Sequence, residues 1–303
     1  KIYDLLISES SFILIQNKNI IVKKPKIRIQ FGDGYKFVEK TVTKNRLHTV
    51  CEEARCPNIY ECWERGTATI MILGDICTRA CGFCSVKTGL PNKLDKMEPI
   101  RTAMAVKKMA LNHVVITSVD RDDLKGDYGA EIWAETIKQI KKYVPKCTVE
   151  VLTPDFKGYR PALEIVFNAN PDIFSHNIEC IERISRKVRA QAVWKRSLDV
   201  LKQSVDFGLR TKTGMMVGLG ESKDDVIDVM SEIVDLGVEI FTIGQYLQPT
   251  KDHLSVERYV DDKEFQYYKQ RGLELGFKVV ESGSLVRSSY HADEQARLVS
   301  EKV

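Results

Sequence analysis

The chain has 303 residues, 43% hydrophobic and 29% charged, with a formal net charge of +4. That is an ordinary composition for a soluble chain able to bury a full core, and one barrel-type domain of this length is common. So mild a charge makes no case for nucleic acid, and no apolar run approaches the ~20 residues of a membrane helix.

Residues 1–22 are rich in Ile, Asn, Ser and Lys and read as a peripheral strand or arm. No basic segment precedes an apolar core there, so a secretory signal is not expected; the remnant of an organellar targeting segment is the alternative. Residues 23–47, with Lys24-Pro25 and Gly32-Asp33-Gly34, read as a basic extended arm with a turn.

Six of the eight cysteines then fall between Cys51 and Cys84, in two triplets. Cys51, Cys56 and Cys62 are spaced C-x4-C-x5-C; Cys77, Cys81 and Cys84 are spaced C-x3-C-x2-C. A disulfide framework belongs to short secreted chains. A zinc site would take four of the sulfurs, or fewer with His48, and leave odd cysteines behind. Three thiolates suit a cubane [4Fe–4S] cluster with one iron left open or given another ligand, and two triplets suggest two clusters. Pro57 and Glu52-Glu53 predict a short helix and loop around the first triplet.

From Thr67 a period appears. Strands are predicted at Thr67–Leu73, His113–Val119, Thr148–Leu152, Ile173–Asn177, Thr211–Val217 and Ile240–Tyr246. Helices are predicted at Ile100–Leu111, Ala130–Tyr143, Arg160–Phe167, Arg186–Phe207, Lys223–Leu236 and Asp262–Leu275, before a last apolar run at Phe277–Val280. Six βα units imply an α/β fold, a partial (β/α)6 TIM-type barrel, with an N-terminal cysteine-bearing extension and a C-terminal tail. The expected division is 1–66 for the arm and first triplet, 67–280 for the barrel and 281–303 for the tail.

In such a barrel function gathers at the C-terminal ends of the strands. Strand one runs into Cys77, strand two into Thr117, Ser118 and Asp120, strand four into His176, Asn177 and Glu179, and strand five into Gly218, Gly220 and Glu221. An iron left open by three cysteines can chelate S-adenosylmethionine through its amine and carboxylate. One electron then cleaves the sulfonium to a radical able to take hydrogen from an unactivated carbon. Phe83, between Cys81 and Cys84, reads either as a ring packed on the adenine or as core.

The stretch GDICTRACGFCSVKTG (Gly74–Gly89) resembles the radical S-adenosylmethionine enzymes, and HTVCEEARCPNIYECW (His48–Trp63) resembles the lipoyl synthases. So do VITSVDRDDL (Val115–Leu124), VEVLTPDF (Val149–Phe156), HNIE (His176–Glu179), MVGLGE (Met216–Glu221), IGQYLQPT (Ile243–Thr250) and VRSSYHA (Val286–Ala292). The likeness runs from about Leu47 to Ala292. It departs at Lys24–Gln30, which lacks a tryptophan after Lys-Pro, at Ser284, where a proline is usual, and at Lys125–Tyr128.

The resemblance implies insertion of two sulfurs at C6 and C8 of a protein-bound octanoyl-lysine. Cys77, Cys81 and Cys84 would hold the radical-generating [4Fe–4S] cluster. Cys51, Cys56 and Cys62, completed by the oxygen of Ser289, would hold an auxiliary cluster consumed as sulfur donor. A hard alkoxide ligand matches such a site poorly and can leave easily. For S-adenosylmethionine the resemblance favours Thr117 and Ser118 near the methionine end, Asn177 and Glu179 near the ribose, and Gly218 and Gly220 beside the adenosine. On spacing alone these are tail, strand-end and turn residues. Implied partners are an octanoylated carrier (an H protein or the lipoyl domain of a dehydrogenase complex), an electron donor such as ferredoxin or flavodoxin, and an iron–sulfur carrier, with no nucleic acid and no membrane. The expected location is the cytoplasm, with an organelle matrix as alternative.

Other features read blandly. Cys147 and Cys180 are buried thiols, and His113 is a core histidine; His291 sits beside the RSSY motif. The run Arg183, Arg186, Lys187, Arg189, Lys195 and Arg196 is a solvated face, or a dock for an acidic carrier. Rival functions are a biotin synthase-like or methylthiotransferase-like sulfur-inserting enzyme and, from another class, a zinc-stabilised binding protein.

Overall fold

The computed structural model describes residues 31–301, with Pro25, Ile27 and Ile29 ahead of them. The arm expected over residues 1–22 lies outside the described residues. The first described element overturns an expectation: Asp33–Lys44 is a helix, α1, where extended chain was predicted. Val38, Thr41 and Val42 share one buried face, and that helical period outweighs the turn residues at its start. A Cβ on Gly34 would lie 2.1 Å from the Glu64 carbonyl oxygen, so the close crossing requires glycine there.

The short strand β1 (His48–Thr49) and the short helices α2 (Val50–Glu53) and α3 (Ile59–Glu64) follow, as Pro57 and the glutamates predict. Next come β2 (Thr69–Ile72), the two-residue strands β3 (Ile76–Cys77) and β4 (Lys87–Thr88), and α4 (Glu98–Met109). The alternation then runs through β5 (His113–Ser118), α5 (Ala130–Tyr143), β6 (Thr148–Leu152), α6 (Arg160–Asn168) and β7 (Ile173–Ser175).

One predicted helix proves to be two, α7 (Glu182–Val188) and α8 (Trp194–Asp206). The chain ends with β8 (Thr211–Val217), α9 (Lys223–Asp235), β9 (Ile240–Gln245), α10 (Asp262–Leu275), β10 (Val279–Gly283) and α11 (Ala292–Glu301). Local chemistry sets several boundaries. Ser222 and Asp225 form a capping box at the start of α9, and Gly276, at φ 119°, ends α10.

The main sheet runs β1-β2-β5-β6-β7-β8-β9-β10, with β1 antiparallel to β2 and the other seven strands parallel. This is the partial barrel, open between its first and last parallel strands, and every parallel strand points its C-terminal end the same way. Trp133, Ile137 and Ile140 of α5 are among the fully buried side chains of the outer layer. Inside, Ile173, Ile240 and Val279, at the N-terminal ends of three strands, pack with Ala296 and Val299 of α11. The predicted tail thus supplies an apolar plug for one end of the barrel. The loop that follows β2 at the other end carries Cys77, Cys81 and Cys84.

Candidate active site

The second triplet sits on a loop closed by its own short ladder. β3 and β4 pair in parallel, Ile76 with Lys87 and Cys77 with Thr88, and enclose the segment bearing Cys81 and Cys84. Within it the Cys84 N–H donates to the Cys81 carbonyl at 3.1 Å. The φ of Gly82 is not positive; closeness is the reason for glycine there. A Cβ there would lie 2.9 Å from Cγ of Leu254 and 3.4 Å from the Lys187 carbonyl oxygen, and the Gly82 N–H donates to Val188 O at 2.9 Å.

Arg79 fastens this loop to the barrel. Its buried guanidinium donates two bonds to Asp122 (both 2.9 Å) and one to Asp155 (2.6 Å), with Asp120 at 3.2 Å. The break between α7 and α8 meets the loop from the other side. There the Gln191 side chain accepts from Ala80 N at 2.6 Å, and Arg189 donates to Asn177 O at 3.1 Å.

The first triplet spans α2 and α3. Thr49 caps α2, Cys56 N–H donates to Cys51 O at 3.0 Å, and Cys62 precedes the fully buried Trp63. Ser85 Oγ donates to the Glu53 carbonyl at 2.8 Å and so ties the second loop to the first. The tail straps across the same segment. Asn58 Nδ2 donates to Leu285 O at 2.7 Å, Tyr290 Oη to Glu61 at 3.1 Å, and Thr69 Oγ1 to Ser289 Oγ at 2.7 Å.

These parts face one cavity of about 550 Å³. All six clustered cysteines line it, with Thr117, Ser118, Asn177, Glu179, Ser289 and His291. Asn177 Nδ2 donates to Ser288 Oγ at 2.7 Å and to Glu179 Oε1 at 3.1 Å, while its buried Oδ1 has no hydrogen-bond partner. Gly218 and Gly220 do not line the cavity. They lie at φ 99° and 114° in a turn whose Gly218 and Leu219 N–H groups donate to Glu221. Phe83 lines the cavity and packs against buried Cys180, Val188, Leu219 and Tyr246.

Cys147 and Cys180 are buried free thiols. His113 is held by Thr148 Oγ1 at 2.8 Å. The basic run is not one solvated face. Arg183 pairs with Asp225, Lys187 with Glu257 and Arg196 with Asp155, while Arg189 is buried.

The chemistry of the thiols fits a bound cluster in each triplet. No cysteine is in a disulfide. Burial pushes Cys51, Cys62 and Cys81 up to about 12 and Cys84 up to about 11, and neighbouring sulfurs add to this. Such thiols ionise only with a cationic centre among them. Backbone N–H groups already face the sulfurs: Arg79 N and Asp120 N at 3.4 and 3.3 Å from Cys77 Sγ, and others at Cys51, Cys56 and Cys84. Among the described residues no three cysteine sulfurs lie within 4.8 Å of one another. One zinc ion would draw its sulfurs to about 3.8 Å apart, so the triplets suit a larger cluster better.

Sequence reasoning missed Arg79 and Gln191, placed Arg189 in a basic surface run, and gave Ser288 no role beyond its motif. An arginine inside C-x3-C facing the acidic DRDD and TPD segments was the available signal for the first. The others depend on where α7 breaks and on where the tail lies.

The family model described as the Radical SAM superfamily matches residues 71–233. A Rubrobacter xylanophilus protein named lipoyl synthase is 56% identical over 272 residues, 89% of this chain and 84% of that one. One from Oceanobacillus iheyensis with the same name is 52% identical over 287 residues, 93% of this chain and 91% of its own. A Nematostella vectensis protein named mitochondrial lipoyl synthase is 50% identical over 274 residues, 89% and 94% of the two chains. Among solved structures, Streptococcus suis SuiB bound to S-adenosylmethionine matches with a TM-score of 0.57 over 75% of this chain and 54% of that one. At 10% identity this is a likeness of fold.

Proposed function

The chain belongs to the lipoyl synthase family of radical S-adenosylmethionine enzymes, and we propose a division of labour between its two cysteine triplets. The activity is the family's: insertion of two sulfur atoms at C6 and C8 of an octanoyl-lysine on a lipoyl-carrier protein, using S-adenosylmethionine and iron–sulfur chemistry.

Cys77, Cys81 and Cys84 hold the cluster that meets S-adenosylmethionine. Cys51, Cys56 and Cys62, with Ser289, hold a second cluster from which sulfur is taken. The observation carrying this reading is that both triplets and Ser289 line one cavity, the second triplet on the loop after β2 and the first triplet and Ser289 beside the start of that strand. When bound, the first cluster and S-adenosylmethionine supply a hydrogen-abstracting radical, and the second supplies sulfur.

The chain's own residues bind, orient and exclude water. Arg79 fixes the second loop against β5 and β6 through three aspartates. Asn177 offers its unpartnered Oδ1 to a ribose hydroxyl, with the Glu179 carboxylate beside it. The Thr117 and Ser118 hydroxyls donate to backbone carbonyls, leaving lone pairs for the amino end of the ligand. Met71, Val115, Leu152 and Met215 give the cavity apolar wall, which keeps the reacting carbons dry. Thr69 donates to Ser289 Oγ, so the Ser289 proton is free to leave when the oxygen becomes a ligand. Gly218 and Gly220 act at one remove, shaping the turn around Glu221.

Ferredoxin or flavodoxin as reductant, an iron–sulfur carrier that rebuilds the second cluster, and residence in the cytoplasm or an organelle matrix complete the proposal. No helix among the described residues is long and apolar enough to cross a membrane.

Changing one triplet at a time tests the assignment. With Cys77, Cys81 and Cys84 all changed to Ala, the protein retains about half its iron and cleaves no S-adenosylmethionine. With Cys51, Cys56 and Cys62 changed, it cleaves S-adenosylmethionine and adds no sulfur. The reverse pattern would exchange the two roles.

A further inference from the structure

The cavity has a floor, and the floor is polar. On β5 the residues His113, Val115 and Thr117 line the cavity, while Val114 and Ile116 do not, as strand alternation requires. His113 is the deepest of the three, at the strand's first position. Behind its ring lie two charges closed off from solvent. Glu150 approaches His113 Nε2 at 3.5 Å and Lys212 Nζ at 2.8 Å, and both side chains are 0% exposed. Thr148 holds the other ring nitrogen at 2.8 Å and so fixes the imidazole over the ion pair, while Nε2 itself has no hydrogen-bond partner. In register with Glu150 and Lys212 are Ile173 and Ile240 of the apolar plug.

A buried ion pair is weak evidence for stability, since apolar side chains of the same volume often do as well. Its position offers another use. Thr69 touches Ser289 and is the register partner of Val115, which puts the Ser289 oxygen one β-step above His113. That step is ~7 Å along the strand.

We propose that His113, backed by Glu150 and Lys212, is the stop against which the methyl end of the acyl chain rests, and that it sets the accepted chain length. The inference rests on the octanoyl reading of the site. One of the two sulfurs goes to the last carbon, so that carbon must come to rest at the level of the sulfur donor and go no deeper. The ring, held by Thr148 and seated on the buried ion pair, fills the space beyond the last carbon, so a longer apolar chain finds no room without displacing it. The ordered ring makes the stop rigid.

The test is binding of octanoyl-lysyl and decanoyl-lysyl peptides to the cluster-loaded protein by calorimetry, without oxygen or reductant, so that no turnover occurs. The unaltered protein prefers octanoyl. His113→Ala opens the floor and shifts the ratio of the two Kd values toward decanoyl by roughly tenfold, the effect of two methylenes finding room. His113→Leu loses the same polar contacts but keeps the bulk, and so retains the octanoyl preference. Equal shifts in both variants, or no shift in His113→Ala, would overturn the stop. An unaltered protein that binds both peptides equally overturns it as well. One that binds neither overturns the octanoyl reading itself, together with the stop that depends on it.

Discussion

Arg79 shows how one side chain can hold a reactive loop. A guanidinium inside a barrel is costly unless every donor is used, and here three aspartates from two strand ends surround it. Burial works against its charge, yet the Asp122 bonds and the other two carboxylates hold its pKa above the ordinary value. Arg79→Lys keeps the charge and loses the fork, so S-adenosylmethionine cleavage should fall by at least about tenfold with the fold intact. Arg79→Ala leaves three carboxylates facing one another and should cost roughly 3 kcal/mol, read as a drop in Tm.

His176 carries a pH dependence. Burial, opposed by Asp155, lowers its pKa to about 4, so the folded protein keeps it neutral, between Thr153 O at 2.9 Å and Ser197 Oγ at 3.0 Å. Its unfolded value is about 6.5, so below that the unfolded chain takes up the proton first. Stability is therefore lost as pH falls from about 6.5 towards 4, by roughly 1 kcal/mol at pH 5.5. Anaerobic urea denaturation at pH 7.5 and 5.5 checks this, with His176→Gln lacking that share of the loss.

At the scale of elements, the loop bearing Cys81 and Cys84 is shaped by what presses on it. Gly82→Ala should drive a Cβ into Leu254 and displace the loop, cutting S-adenosylmethionine cleavage about tenfold. Adding Leu254→Ala should recover most of it. Failure of that second change would mean that Lys187 O, not Leu254, is the obstacle. The same pressure explains what the sequence could not reveal. Residues 186–207 carry a continuous helical period with no proline or glycine before Gly208, so nothing local marks the break after Val188. The break comes from outside, where Arg189 turns inward to Asn177 and Gln191 reaches Ala80. In α1 the misleading signal was local and the correct one present, since Val38, Thr41 and Val42 already had helical spacing. Elsewhere periodicity sufficed: β6, β8, α5 and α10 have the bounds their apolar patterns predict.

For the whole molecule, the barrel is a frame that two extensions complete. The segment before β2 brings three cysteines to the cavity, and the tail crosses them at residues 285–291 before its last helix, α11, plugs the N-terminal ends of the strands. The cysteines were legible because their spacing is a chemical statement in itself. Ser289 was legible only through its motif, since a serine in a tail has no spacing to betray it. Its hydrogen bond with Thr69, 220 residues away in sequence, exists only in the folded chain. Gly218 and Gly220 show the opposite case, where motif matching points to a position and the fold sets it back from the cavity wall.

The measurement that tests this account most directly is a single turnover without oxygen. Cluster-loaded protein, S-adenosylmethionine and reductant are given an octanoyl-lysyl peptide and followed by mass spectrometry. The account predicts two sulfur atoms in the peptide, no more than one peptide converted per chain, and a dependence on the first triplet and on Ser289. Cleavage of S-adenosylmethionine with an unchanged peptide, or sulfur insertion that survives loss of Cys51, Cys56 and Cys62, would contradict it.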